Sequence, residues 1–584
     1  LKLRRVGLVA GATVGAFALA PAAAQAQNFT VNTRTDAAAN GCTTATNGCT
    51  LRDAVTDANA NGQADQITFA SGLSGTVRLT QGPLVVGGSG GDANPVTVQG
   101  PGAGVVTISG DANNNGTPDA GDSQIFTVNY VASGSHPTLN LSGLTLSGGY
   151  TSATGGAVYL EGGGKLSVSN ATFSGCKAAS GGAIGAEFGK YSSVSIQSST
   201  ISGNNTTASG GATFTDGRLT IANSMISDNH ALSGGGALSA GQKYGPLSIT
   251  DSTISGNTAA GEGGAIGAYS LAFAKYHATT QNQISNTTIS GNTAGGPGGG
   301  LYLDGLSGSG SSFTVDHSTI SGNDAGATAQ GGGIEIGYTI EGAFRTVDST
   351  VSGNSANIGA GVAISTDNTP QVGSDGSITF DNSTIAANTA AESGGGMYLG
   401  IYGPSGGGPY TYSATIPLNS TIVGGNTASG ASSDLDHADV ATTGGFALAF
   451  SLVQAPGDGV VSQANSILNT DPQLGALGDN GGPTQTQLPS ATSPALDAGN
   501  NPLALGTDQR GDPRTVDLSP SNAADGTDIG AVEREAPPVP APVSKKVKCK
   551  KKHKKKHKRS AESSKKKHKK HKKCKKKKHK KKHH

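Results

Sequence analysis

The sequence predicts an all-β fold, a single parallel β-helix of about three short strands per coil, with a short N-terminal capping helix and a disordered polybasic tail. Three observations predict it. One phrase recurs between Thr145 and Thr421 as TLSGG, TFSGC, TISGN, MISDN, TVSGN, TIAAN and TIVGGN, at spacings of 25 to 37 residues. A constant phrase at a variable period describes a solenoid whose loops differ in length. Each unit also carries three short alternating runs, such as Leu247-Ser248-Ile249-Thr250, Ser252-Thr253-Ile254-Ser255 and Gly263-Gly264-Ala265-Ile266, and no helix-length periodic stretch. Finally, 92 of 584 residues are Gly with only 24 Pro and no Gly-X-Y period, which excludes collagen, while the abundance of small Ala and Val argues against a helical bundle.

The elements follow in order. Lys2, Arg4 and Arg5 precede an apolar run from Val6 to Leu19 and a small-residue site at Ala24-Gln25-Ala26, so residues 1–26 read as an export signal cleaved before Gln27. The run is short for a membrane span, and no later stretch is long enough for one. In residues 27–85, Thr50 and Asp53 have the spacing of a helix cap, and Leu51, Ala54, Val55 and Ala58 form one apolar face. A helix there would cover the first coil and discourage edge pairing. The segment GCTLRDAVTDANANGQADQITF (Gly48 to Phe69) resembles the CSLREA domain, with Thr50 for its Ser and Asp53 for its Glu. Arg52 and Asp53 are accordingly expected to belong to the cap. Cys42 and Cys49 lie beside it and are expected to form a disulfide, since export leads to an oxidising compartment. Cys176 takes the place of a phrase Asn and is expected to be a buried free thiol.

Residues 86–450 hold the repeats. Large apolar residues two places after the second Gly (Val158, Ile184, Leu238, Ile266, Leu301, Ile334, Val362, Met397) should point inward as one thin stacked core, with their neighbours outward. The phrase Asn residues, from Asn204 to Asn388, should sit at turns, bond local backbone and stack on one another. The segment ISGNTAAGEGGAI (Ile254 to Ile266) resembles the repeats of polymorphic outer membrane proteins, and the array is similar to right-handed, pectate-lyase-like β-helices. In residues 451–535, DPQLGALGDNGGPTQTQLPSATSPALDAGN (from Asp471), DQRGDPR (from Asp508) and DIGAVE (from Asp528) resemble the choice-of-anchor Q domain. That resemblance implies an exported surface or extracellular protein joined to a sorting tail, and it carries over no catalytic residue. Residues 536–584 are a Pro-rich linker and a Lys/His-rich tail.

Charge separates the chain into two poles. Lys545 to His584 holds 25 Lys/Arg and one acid, whereas Gln27 to Ser544 holds 13 bases and 38 acids, 13 − 38 = −25. Self-repulsion keeps the tail from forming a core, and its expected partners are anionic cell-envelope polymers, with nucleic acid only as a nonspecific polyanion. Between Thr145 and Thr421 the bases are scattered, and Lys190, Lys243 and Lys275 precede tyrosines in different coils. The best acidic cluster, Asp434 to Asp439, reads as a solvated loop. No catalytic residue is therefore assigned, and a structural, adhesive or ligand-binding role leads, with a glycan-binding module or a polysaccharide lyase or hydrolase as the alternative. Tyr159, Phe214, Tyr302 and Tyr398, three places after the second Gly, are expected to face outward, where rings stack on sugars. In DANNNGTPDAGD, the residues Asp111, Asn113, Asn115, Thr117, Asp119 and Asp122 occupy positions 1, 3, 5, 7, 9 and 12 with Gly116 at 6. This resembles the calcium loop of EF-hand and dockerin-type repeats, with oxygen ligands suited to a hard cation.

Overall fold

The computed structural model describes residues 26–535 except 43–47, 89–92, 132–135, 187–190, 242–244, 270–279, 307–309, 341, 368–376, 403–414, 431–432, 439–443 and 519–524. Residues 1–25 of the expected export signal (1–26) and the expected linker and tail from 536 lie outside the described residues, as do Lys190, Lys243 and Lys275.

Most coils give one strand to each of three long sheets, whose spatial order follows the chain order coil by coil, and two shorter sheets of five and three strands line one corner among the described residues. Among the described residues the first sheet has 15 strands, from Asn28–Val31 to Val460–Ala464. The second has 14, from Gly75–Arg78 to Ile467–Leu468, and contains the phrase strands. The third has 12, from Leu84–Gly87 to Leu435–His437, and follows the Gly-Gly turns. Neighbouring strands are parallel, as in Thr253↔Thr288 and Ile266↔Leu301. The chain is a parallel β-helix. The apolar positions expected to point inward, from Val158 to Met397, are all fully buried and belong to one continuous core running from Phe29 to Val453.

Left-handed backbone recurs at three places in the coils, at the Gly-Gly turn (Gly263, φ 66°) and on either side of the phrase strand, and the latter two explain the wording of the phrase. Ahead of each phrase strand stands a residue such as Asn223 (φ 49°), Asp251 (φ 49°) or Asn286 (φ 49°), and after it a Gly such as Gly256 (φ 65°) or Gly291 (φ 63°). Asn, Asp and Gly reach this region at least cost. The Ser or Thr after the first corner closes it: Ser224 Oγ donates to the Ala222 carbonyl at 2.7 Å and accepts the Ser199 N–H at 3.1 Å.

The phrase Asn side chains form a buried ladder. Asn204, Asn229, Asn257, Asn292, Asn323, Asn354, Asn388 and Asn426 each donate from Nδ2 to the next Oδ1, and the last donates to Asp434, at 2.8–3.0 Å throughout. From Asn229 to Asn426 each Oδ1 also accepts the backbone N–H of the preceding Asn, as Asn323 Oδ1 does from Asn292 at 3.0 Å, and Asn204 Oδ1 accepts that of Cys176. The turn backbone is thereby satisfied inside the fold, as buried polar groups must be.

The helix is α1, Leu51–Ala58. Thr50 Oγ1 accepts the Asp53 N–H and the Asp53 carboxylate accepts the Thr50 N–H, both at 3.0 Å, a complete capping box. Its apolar face (Leu51, Ala54, Val55, Ala58) is buried and packs on the strands Asn28–Val31, Asp65–Phe69 and Leu84–Gly87 of the first coils. Arg52 reaches outward to Asp36 at 2.7 Å, and Asp53 also accepts N–H groups of Asn40 and Gly41. Cys42 and Cys49 are bonded to each other beside this cap, and Cys176 is buried and free.

The last part of the chain turns back as a covering layer over the second sheet. Gln509 Nε2 donates to Thr319 Oγ1 at 2.9 Å, Thr350 Oγ1 donates to Gln509 Oε1 at 2.6 Å, and the N–H of Ala531 donates to Thr384 Oγ1 at 3.0 Å. Hence Thr319, Thr350 and Thr384 are buried, while their counterparts from Thr145 to Thr288, in the same phrase but uncovered, are half-buried or exposed.

Candidate functional site

The outer face of the third sheet carries a set of aromatic and acidic side chains. Strand register places Tyr159, Gly185, Phe214, Ser239, Gly267, Tyr302, Glu335, Ala363, Tyr398 and Asp436 in one column, one residue per coil. Two residues further along the strands a second column runs through Gly241, Tyr269, Asp304, Gly337, Ser365 and Gly400. All four aromatics expected to face outward stand in the first column. They do not project freely: Tyr302 is only 8% exposed, and Tyr159, Phe214 and Tyr398 are half-buried.

The reason is the small residues between them. A Cβ on Gly400 would lie 2.5 Å from the Tyr398 ring, and one on Gly267 would lie 2.5 Å from the Tyr269 hydroxyl, so these rings lie along the sheet over glycines. Tyr269 and Tyr302 approach with ring centroids 6.0 Å apart, tilted by 58°. A cleft of about 210 Å³ opens beside Tyr398, lined also by Gln330, Asn357, Ile358 and Ser365.

Carboxyl groups accompany the rings. Burial pushes Glu335 up to about 8, against the hydrogen bond from Ser365, and burial together with the charge of Glu262 pushes Asp304 up to about 6. Glu335 is 2% exposed, and its Oε2 has no hydrogen-bond partner among the described residues. Burial, with Glu262 and Asp304, raises Tyr269 as well. Neither column contains a Lys or Arg among the described residues. Groups perturbed by burial and gathered on one face make that face the candidate for a site.

No protein-family model and no curated protein matches this chain. Solved structures similar to it include pectate lyase Pel9A, at 13% identity and TM-score 0.30, covering 88% of this chain and 97% of that one. A mannuronic acid specific polysaccharide family 6 lyase from human gut microbiota is 11% identical at TM-score 0.33, covering 73% and 86%. A PL6 family alginate lyase, AlyGC, is 11% identical at TM-score 0.30, covering 76% and 73%. At these scores the likenesses say nothing about which residues of this chain act.

Other sequence candidates resolve differently. Asp434 was expected in a solvated loop but is 1% exposed, because it receives Asn426 Nδ2 at 2.8 Å and the Ala455 N–H at 2.6 Å as the end of the asparagine ladder. In the Asp111 to Asp122 loop, Asp111 accepts the N–H groups of Asn115 and Gly116, and Asn113 and Asn115 turn their amide nitrogens to Asp119 at 3.2 and 2.7 Å. Among the described residues no group of three or more His, Cys, Asp or Glu is arranged to hold a metal ion.

Sequence reasoning missed Glu335, Asp304 and Tyr269. One further step of strand alternation reaches Tyr269 and Asp304, and Glu335 occupies the same position as Tyr302.

A second set of perturbed carboxyls lies under the covering layer and is structural. Asp348 and Arg514 pair at 3.3 Å with both side chains at 0% exposure. Burial pushes Asp348 up to about 7 although Arg514 and His317 oppose it, and burial with the charge of Asp528 pushes Glu533 up to about 8. These groups, with Glu335, hold protons in the folded state that the unfolded chain releases at ordinary carboxyl values. Stability is therefore greatest in acid and falls as pH rises from about 4 through about 8. His317 acts in the same sense: burial lowers its pKa, but the hydrogen bond and charge of Asp316 and the charge of Asp348 raise it overall. Thermal melting across pH 5 to 9 should show a falling Tm, and a rise would contradict this account.

Proposed function

We propose that this protein is an exported β-helix protein of the cell surface or extracellular space that binds carbohydrate along the outer face of its third sheet and is retained on anionic envelope polymers by its polybasic tail. The observation that carries the binding reading is the groove itself, in which tyrosine rings lie along a floor opened by glycines next to a polar cleft. Such rings offer apolar faces to sugar C–H surface, with their hydroxyls as hydrogen-bonding handles. Export is supported by the signal-like N terminus, the paired cysteines and the choice-of-anchor Q and CSLREA resemblances. No helix among the described residues is long and apolar enough to cross a membrane.

The test is a glycan array and polysaccharide retention assay on the full chain. Retention of a glycan that Tyr398→Ala weakens by about fivefold, as expected for a lost stacking contact of roughly 1 kcal/mol, supports the groove. Retention unchanged by both Tyr398→Ala and Tyr302→Ala would remove it. A chain ending at Glu535 should pass into the medium, while the full chain should leave cells in high salt, because exposed charge attraction is screened over about 10 Å at 0.1 M.

One observation favours a second reading, polysaccharide cleavage. A buried carboxyl held at about 8, as Glu335 is, remains protonated at neutral pH and has the character of a general acid. Release of reducing or unsaturated sugar ends by the full chain, abolished in Glu335→Gln, would establish that reading in place of simple binding.

A further inference from the structure

We infer that the protein carries a second carbohydrate-binding station, separate from the groove, where Tyr130, His136 and Tyr191 form an exposed platform of rings for a neutral pyranose polysaccharide. It shares the ligand class with the carbohydrate-binding reading and rests on different residues.

Three successive coils pass from the third sheet to the first at one corner, through residues 130–137, 161–164 and 187–192. The middle crossing is the tight turn Glu161-Gly162-Gly163-Gly164, closed by the Gly164 N–H on the Glu161 carbonyl at 3.1 Å. Gly162 (φ 53°) and Gly163 (φ 107°) give it a left-handed backbone and no side chains. The turn is therefore a saddle, and rings from the crossings on either side lean into it. A Cβ on Gly163 would lie 2.6 Å from His136 Nδ1 and 3.2 Å from Tyr191 Cβ, and one on Gly162 would lie 3.5 Å from Tyr130 Cβ. The rings also meet one another, with centroids of Tyr130 and His136 6.0 Å apart and of His136 and Tyr191 4.8 Å apart, tilted by 53° and 35°. Backbone N–H groups fix the support: Tyr130 donates to Glu161 Oε2 at 3.1 Å and Lys165 to the Pro137 carbonyl at 2.9 Å.

Exposure sets this cluster apart. Tyr191 is 56% and Tyr130 40% exposed, and they are the two exposed Tyr or Phe side chains among the described residues, whereas the rings of the groove are half-buried or buried. A ring pinned by its floor and neighbours has lost its freedom before a ligand arrives, so a stacking contact keeps more of its energy. The row runs from coil to coil, along the direction in which strands stack, and so fits a chain rather than a single sugar. The turn ends in one exposed carboxylate, Glu161, and one exposed ammonium, Lys165. Charge of both signs selects neither a polyanion nor a polycation, leaving apolar sugar faces on the rings and sugar hydroxyls at the polar groups as the matching ligand.

The experiment is calorimetry of the full chain with three soluble neutral polysaccharides: a galactomannan, a mixed-linkage β-glucan and an α-glucan. None is charged, so the Lys-rich tail adds no ionic attraction. Binding of at least one is expected, weakened about fivefold by Tyr130→Ala and by Tyr191→Ala, with most affinity kept in Tyr191→Phe, where the ring remains. Tyr398→Ala reports the groove separately. Binding lost in the Tyr130→Ala, Tyr191→Ala double variant and indifferent to Tyr398→Ala would uphold the platform while removing the groove. Binding unchanged in the double variant but weakened by Tyr398→Ala would overturn the platform and leave the groove. Binding of none of the three would overturn the inference as well. Concentration-dependent sedimentation that the double variant abolishes, without polysaccharide binding, would make a second copy the occupant instead of a glycan.

Discussion

Replacing Asn323 by Ala is expected to destabilise the coils around it by about 3–5 kcal/mol, since several buried groups lose partners at once and each orphan costs roughly 1–3 kcal/mol. Asn323 is fully buried. Its Oδ1 accepts both the N–H and the Nδ2 of Asn292, and its Nδ2 donates to the Ile289 carbonyl and to Asn354 Oδ1. Alanine supplies none of these. Asn323→Asp keeps the shape but sets a carboxylate against Asn354 Oδ1 and the Ile289 carbonyl, so its penalty should be larger at pH 8 than at pH 4. Because repeats interact mainly with neighbours, the loss should appear as local opening before global unfolding. Hydrogen exchange of the Asn292, Asn323 and Asn354 turns is the direct measurement. Unchanged exchange there in Asn323→Ala would show that the ladder is incidental to stability.

Arg514→Ala should release the covering layer. The guanidinium is fully buried against Asp348 and also donates to the Gly530 carbonyl. Its removal leaves the Asp348 carboxyl at 0% exposure with only His317, 3.8 Å away, opposite it, a change that costs up to about 3–5 kcal/mol in comparable buried pairs and less once the carboxyl takes up a proton. The layer should then become sensitive to protease in residues 469–535 while the coils up to Thr288 stay protected. Asp348→Leu combined with Arg514→Met should restore much of the protection, since an apolar pair removes the buried carboxyl that has lost its main partner. Protease resistance equal to the parent in Arg514→Ala would contradict this role.

The coil structure was legible because it is local and repeated. The spacing of Thr50 and Asp53 specified a cap, alternation after Gly-Gly specified the inward column from Val158 to Met397, and the phrase Asn marked the turn. Each signal lies within a few residues. The covering layer was not legible, because Gln509 meets Thr319 and Arg514 meets Asp348 across more than 150 residues, with no local pattern to connect them. Asp434 misled for a related reason: in sequence it belongs to an acidic run, and only the stacking of coils shows it at the end of a ladder of amides. At the candidate site, the column of aromatics could be read from register, but the burial of Tyr302 and Glu335 could not, since it depends on how side chains lie over neighbouring glycines.

The covering layer also determines how the protein responds to mechanical load. Coils hydrogen-bonded only to the coils before and after them can be peeled away singly, and a unit of 25 to 37 residues pays out on the order of 100 Å of chain at about 3.4 Å per residue. The coils of Thr319, Thr350, Thr384 and Ser420 are cross-tied by the layer through Gln509, Ala531 and Gly530, so they cannot separate one by one. Tension applied toward the C-terminal side meets a laced block that yields as a unit, and tension on the N-terminal side meets a stack that unwinds in steps. A protein tethered by its tail would thus have a stiff foot and an extensible arm, dissipating work coil by coil before its attachment is strained.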